Sequence, residues 1–146
     1  MSEGAGFPRI GVGAVIWRDS DVLLIRRGRM PRAGEWSLPG GRQQQGETVA
    51  EALLREVREE TGLEVELLGL VDVVDAIFPA TDESPAYHYT LIDFSARFVS
   101  GEAQAGDDAL EVAWVPFGTL ARYPLWGETV RIIEQSARLH GPLANG

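Results

Sequence analysis

Cysteine is absent from this chain of 146 residues. Its absence excludes a disulfide framework, a thiolate metal centre and a cysteine nucleophile. Basic side chains are the minority, 13 against 22 acidic ones, for a formal charge of −9. A protein that grips long DNA or RNA through its phosphates needs the opposite balance, so no long nucleic acid is expected as a partner. A small phosphorylated ligand stays compatible, because local arginines and a cation override the global sign. No apolar run approaches the roughly 20 residues that cross a bilayer, so no membrane partner is expected. Met1 to Pro8 lacks the basic and apolar regions of a signal peptide, which makes a cytoplasmic location the expectation. Internal repeats are missing, and the only biased tract, Gln43 to Gln45, is too short to matter.

What is present is a hydrophobic content of 45%, enough for one domain of ordinary size over 1–146, with a core from about 10 to 139. Ile10 to Trp17 and Val22 to Ile25 are apolar on both faces and read as strands buried in a sheet covered on two sides. Gly11 and Gly13 lie inside the first strand. The third glycine of a dinucleotide-binding loop is missing, Ile16 standing in its place, which rejects that reading. Glu64 to Ile77 reads as one long or bent strand, Phe78 to Pro85 as a loop, Tyr87 to Phe98 as a strand and Ser100 to Asp108 as a loop. Glu111 to Val115 is a short strand, Phe117 to Arg122 a helical turn, and Glu128 to Leu139 a helix with Val130, Ile133 and Ala137 inward. His140 to Gly146 is expected to fray.

Gly40 to Leu63 organises the rest: a glycine turn, an acidic helix from Glu47, and a glycine stop at Gly62. Ala50, Leu53, Leu54 and Val57 make its dry side. Glu56, Glu59 and Glu60, at i, i+3 and i+4, fan across about 100° of an adjoining face. Like charges at that spacing cost an isolated helix about a few tenths of a kcal/mol per pair, so the arrangement asks for a cation among them. Carboxylate oxygens suit a hard divalent ion.

Ahead of the helix, Arg26, Arg27, Arg29 and Arg32 crowd a loop that runs into Glu35-Trp36-Ser37-Leu38-Pro39. Guanidinium groups grip phosphate bidentately, and Arg26 and Arg27 are the first candidates; the competing reading is a solvated loop balancing nearby acids. Trp17, Trp36, Phe78, Tyr123 and Trp126 are able to stack on a nucleobase, although most aromatics are core residues. Trp36 and Phe78, flanking expected loops, are preferred. His88, between two tyrosines, reads as structural rather than as a base, and His140 sits in the tail.

Gly41, five residues, Glu47, seven residues, then Arg55-Glu56-Val57-x-Glu59-Glu60-x-Gly62-Leu63 resembles the box of the Nudix hydrolases at every position without a gap. Seven such identities arise by chance at a given start on the order of once in 10⁹. The resemblance implies an α/β fold, an α/β/α sandwich with a mixed central sheet and a loop-helix-loop catalytic box. It implies hydrolysis of a nucleoside diphosphate linked to another group, with Mg²⁺ or Mn²⁺ as cofactor, and ADP-ribose or a related nucleoside diphosphate sugar as the favoured substrate. Glu56, Glu59 and Glu60 correspond to the metal-binding acids, and the Gly40 carbonyl to a backbone ligand. Arg55 and Glu47 correspond to residues that orient the ligands. The general base is open: Glu59 or Glu56 on the helix competes with Asp107, Asp108 and Glu111 beyond it, and an acid near Asp108 also serves to complete the metal shell. The competing reading for Asp107-Asp108 is a solvated turn. Two rival functions remain: hydrolysis of nucleoside triphosphates, oxidised ones included, and a non-catalytic module that senses a nucleotide. A homodimer is compatible with the apolar strands.

Overall fold

The computed structural model describes residues 6–29, 32–106 and 108–144. In chain order the elements are β1 (Arg9–Arg18), β2 (Asp21–Arg27), β3 (Trp36–Ser37), β4 (Gly40–Arg42), α1 (Val49–Thr61), β5 (Glu64–Phe78), β6 (Tyr87–Ser100), β7 (Ala109–Pro116), a 3₁₀ turn (Phe117–Arg122) and α2 (Gly127–Leu139). The strands form one sheet in the order β3-β2-β1-β6-β5, with β4 also on β1 and β7 also on β2. β1 and β6 run parallel while the other pairs are antiparallel, so the sheet is mixed.

The continuous apolar run of β1 reflects a helix on each side of the sheet. Val12, Ala14, Ile16 and Leu23 pack toward Leu53 and Val57 of α1. Val15, Trp17, Val22 and Leu24 pack toward Ile132 and Ile133 of α2. This is the α/β/α sandwich expected. Leu53 is fully buried in the α1 layer, where truncation to alanine costs about 2–5 kcal/mol.

Several local expectations are corrected. Gly40 and Gly41 are strand rather than turn, since Gly13 pairs with Gly40 and Val12 with Gly41 across the edge of β1. Trp36 is likewise in a short strand, opposite Arg26. The helix starts at Val49, one residue after Thr48, whose hydroxyl accepts from Glu51 N at 3.1 Å while the Glu51 carboxylate accepts from Thr48 N at 2.8 Å. That reciprocal cap outcompetes a start at Glu47. The stop falls where expected, with Gly62 left-handed at φ 76°. On α1 the buried arc runs through Ala52, Leu53, Val57, Glu60 and Thr61, leaving Ala50 exposed. β5 is one strand, bent by register shifts near Leu67 and Leu70. In α2, Ile132 and Ser136 join Ile133 and Ala137 inside, and Val130 is only half-buried. The tail does not fray at His140: its Nδ1 lies 2.8 Å from Ser95 Oγ, and Leu143 N donates to Ala137 O. Among the described residues no helix is long and apolar enough to cross a membrane.

Candidate active site

Thr48, by taking the N-cap, frees Glu47 to fold back over the helix. Arg55 Nε donates to Glu47 Oε2 at 2.6 Å and Arg55 Nη2 to Glu47 Oε1 at 2.9 Å, a two-pronged pair. The same guanidinium reaches Glu56 Oε1 at 2.6 Å, Glu59 Oε2 at 3.1 Å and the Arg42 carbonyl at 3.0 Å. The cation that the acidic face asks for is thus supplied in this structure by Arg55. Its hydrogen bonds to Glu47 hold the guanidinium pKa well above its usual value, and the same contact holds the Glu47 carboxyl below its own.

Glu60 departs from its neighbours. It stands on the buried arc with Leu53 and Val57, is 8% exposed, and its Oε1 accepts from Gly40 N at 2.9 Å. Burial pushes its pKa up to about 7, opposed by the Gly40 N–H and reinforced by the charges of Glu56 and Asp108. Burial also raises Glu56, against the pull of Arg55. The Glu56 carboxylate lies against Gly41, where any side chain would collide with it, so glycine at that position is a packing requirement of the acid. Glu59 is more open, with 43% of its side chain exposed.

Among the described residues no three acids or histidines converge closely enough to form a ready metal cage, because Arg55 engages Glu56 and Glu59 while Glu60 turns to Gly40. The donor chemistry nonetheless fits a hard cation: two carboxylates resisting ionisation through burial and repulsion, with a third beside them, gain most from a positive charge.

A cavity of about 340 Å³ opens beside this cluster. Glu60, Gly40, Arg27 and Asp108 line it, together with Trp36 and Phe78. Arg26 does not line it: its Nε donates to the Gly34 carbonyl at 3.1 Å and its Nη1 lies 3.8 Å from Glu111. Its register partner Trp36 does line the cavity, while the Arg26 guanidinium is drawn away to Gly34 and Glu111. Glu111, occupied by Arg26, is also outside the cavity lining. Glu47, Arg55, Glu56 and Glu59 are not part of the cavity lining. Asp107 lies outside the described residues. Asp108 is held by Arg29 at 3.1 Å. Arg32, left-handed at φ 63°, pairs with Glu35 at 2.8 Å and sits 5.5 Å from the ring centres of both Phe78 and Trp126.

Sequence reasoning overlooked one side of the cavity. Tyr87, Tyr89, Leu91 and Asp93 alternate down β6 and all face it. The period of two was legible; what hid them was ignorance of which face β6 turns toward the ligand. Trp126, which the sequence does offer as a stacking ring, lines it from the residue before α2. His88, on the opposite face, is exposed, and His140 belongs to a polar network with Ser95, Ser136 and Trp17 away from the cavity lining.

The family model of the NUDIX domain matches residues 7–135. An ADP-ribose pyrophosphatase of Methanocaldococcus jannaschii is 37% identical over 115 residues, covering 79% of this chain and 66% of that protein. A putative 8-oxo-dGTP diphosphatase 2 of Mycobacterium tuberculosis is 40% identical over 114 residues, 74% of this chain and 81% of that one. The crystal structure of a MutT NUDIX hydrolase from Burkholderia pseudomallei superposes with a TM-score of 0.78 at 37% identity, covering 88% of this chain and 98% of that chain. The chain spans between about a third and two thirds of the length of the first curated relatives it matches. With the box intact on α1, the sandwich around it and these likenesses agreeing, the chain belongs to the Nudix family.

Proposed function

We propose that the chain hydrolyses the diphosphate bond of a nucleoside diphosphate linked to another group, ADP-ribose or a related nucleoside diphosphate sugar being the leading substrate. One observation carries this reading: a single cavity is lined both by the buried acid Glu60 with Arg27 and Asp108 and by the aromatic rings of Trp36, Phe78 and Trp126. The first group suits a charged diphosphate beside a cation, the second a planar base. The M. jannaschii relative named for ADP-ribose supports the choice of substrate.

Glu56, Glu59 and Glu60 would hold Mg²⁺ or Mn²⁺, with the Gly40 carbonyl as a further ligand. Such an ion supplies charge neutralisation at the diphosphate and makes water a stronger nucleophile. Arg55, fixed by Glu47, aligns Glu56 and Glu59 and keeps their repulsion in check. Arg27 faces the negative charge that accumulates on the phosphoryl oxygens. Of the acids weighed as general base, Asp108 alone among the described residues lines the cavity, and it is the one we assign to accept the water proton. Water adds across the P–O–P bridge, its oxygen to one phosphorus and its protons to Asp108 and the leaving phosphate. ADP-ribose then gives AMP and ribose 5-phosphate.

A second reading, hydrolysis of nucleoside triphosphates including oxidised ones, is favoured by the M. tuberculosis relative. Product analysis across both substrate classes with Mg²⁺ separates the two. The proposed reading expects AMP and ribose 5-phosphate from ADP-ribose at the higher kcat/KM. A preference for triphosphates, releasing pyrophosphate, would replace it. Tight binding of a nucleotide without any cleavage would favour a sensing module.

A further inference from the structure

Asp93 has no part in the mechanism above, yet it is the most deeply buried acid facing the cavity. It lies on β6, 6% exposed, at the inner end of the strip Tyr87-Tyr89-Leu91-Asp93. Register places it opposite Gly13, which in turn pairs with Gly40. Two strand spacings, about 10 Å, therefore separate its backbone from that of Gly40, while Tyr87 lies about 20 Å along the strand. Asp93 stands close to the acids and well inside the aromatic end.

The surroundings are arranged for its carboxyl. A side chain on Gly13 would collide with Asp93 Oδ1, and one on Gly11 would strike Leu91, so this part of β1 is a bare floor across which a ligand reaches the acid. Among the described residues no hydrogen bond satisfies the carboxyl; the charges that bear on it are Arg131 and Asp72, which are engaged with each other at 3.0 Å. Nor is any described buried side-chain oxygen both sealed from solvent and unpaired, so the Asp93 oxygens look into the cavity. A carboxyl buried at the expense of its hydration and left without a partner is a structural liability unless a ligand completes it.

We propose that Asp93 is a specificity-determining residue of this cavity, accepting a hydrogen bond from an N–H or O–H donor of the nucleotide substrate. The inference rests on the hydrolase reading above. An amino group on a purine edge and a sugar hydroxyl offer the same chemistry. Burial raises the Asp93 pKa to about 7, so near neutrality the carboxyl is readily available in either protonation state. A substrate lacking the donor leaves the acid unpaired, which is how a polar site rejects an analogue more sharply than an apolar pocket does.

The test uses three matched pairs, carried on whichever linkage the enzyme cleaves: guanosine against inosine, adenosine against purine riboside, and ribose against 2′-deoxyribose. Wild-type protein is expected to favour the donor-bearing member of one pair by about 10- to 100-fold in kcat/KM, the range for a hydrogen bond to a charged group. The pair that shows it identifies the donor as base amine or sugar hydroxyl. Asp93→Ala should bring that ratio to about 1. Asp93→Asn, which keeps the shape and one acceptor, should reduce it severalfold, and it carries the test if the alanine variant does not fold. Ratios unchanged in a folded variant, or equal loss on both members of every pair, would overturn the role of Asp93 while leaving the hydrolase reading intact. Absence of both turnover and binding across the whole panel would remove that reading and this inference together.

Discussion

Arg55 and Glu47, eight residues apart, are joined by two hydrogen bonds of 2.6 and 2.9 Å, and this pair fixes the guanidinium that also spans Glu56 and Glu59. A planar fork with several donors makes all these contacts at once, whereas an ammonium on a flexible stem cannot. Arg55→Lys should therefore keep the fold but weaken the activating metal about 10- to 100-fold, the usual cost of losing a group that orients ligands. Titrating Mg²⁺ against initial rate at saturating substrate measures this. An unchanged Mg²⁺ midpoint would mean that Arg55 is merely a surface partner.

The cap at Thr48 sets where α1 begins and hence leaves Glu47 free to meet Arg55. Thr48→Ala removes one half of a capping box and should cost about 1 kcal/mol, read from the urea midpoint with an unchanged slope. Because the cap holds Glu47 in place indirectly, a modest fall in activity should accompany it. Stability equal to wild type would show that the helix start is fixed by packing instead.

Burial raises the pKa of Asp93 to about 7 from 3.8, opposed by Arg131 and reinforced by Asp72. Between roughly pH 4 and 7 the folded protein keeps this proton and the unfolded chain does not, so stability from this group is full below that window and is lost as pH rises through it. Glu60 acts in the same direction, while Glu47 and Asp72, whose pKa values are lowered, act in the opposite one. The difference between wild type and Asp93→Asn isolates the one group. Urea unfolding without added metal should show wild type losing more stability from pH 5 to pH 8 than the variant, by on the order of 1–3 kcal/mol. Parallel pH profiles would contradict the burial of the charge.

The sandwich was legible because β1 is apolar on both faces and the box spacing is contiguous; both are local patterns. The acidic face of α1 was legible for the same reason. Sidedness was not. Arg26 and Arg27 are chemically alike neighbours, and only the pairing of β2 decides that Arg27 enters the cavity and Arg26 turns to Glu111. Glu60 reads as one more acid on the helix, although it stands three residues after Val57 and seven after Leu53 on the buried arc. Asp93 reads as a stray acid in an apolar strand until β1 and β6 are brought together over Gly13. Trp36 reads as part of a loop because a strand of two residues has no period to detect.

If the acids of α1 hold the cation that drives diphosphate cleavage, Glu59 is the sharpest probe of that role, because it is the most exposed of the three and least tied to packing. The measurement is hydrolysis of the preferred substrate by wild type and Glu59→Gln across a Mg²⁺ titration, with a chelator control and a circular dichroism melt of each protein. Wild type should give no product in chelator and show saturable activation by Mg²⁺, and the variant should melt normally but turn over at least about 100-fold more slowly at every Mg²⁺ concentration. Chelator-resistant hydrolysis, or near-normal turnover by a folded Glu59→Gln, would contradict that role.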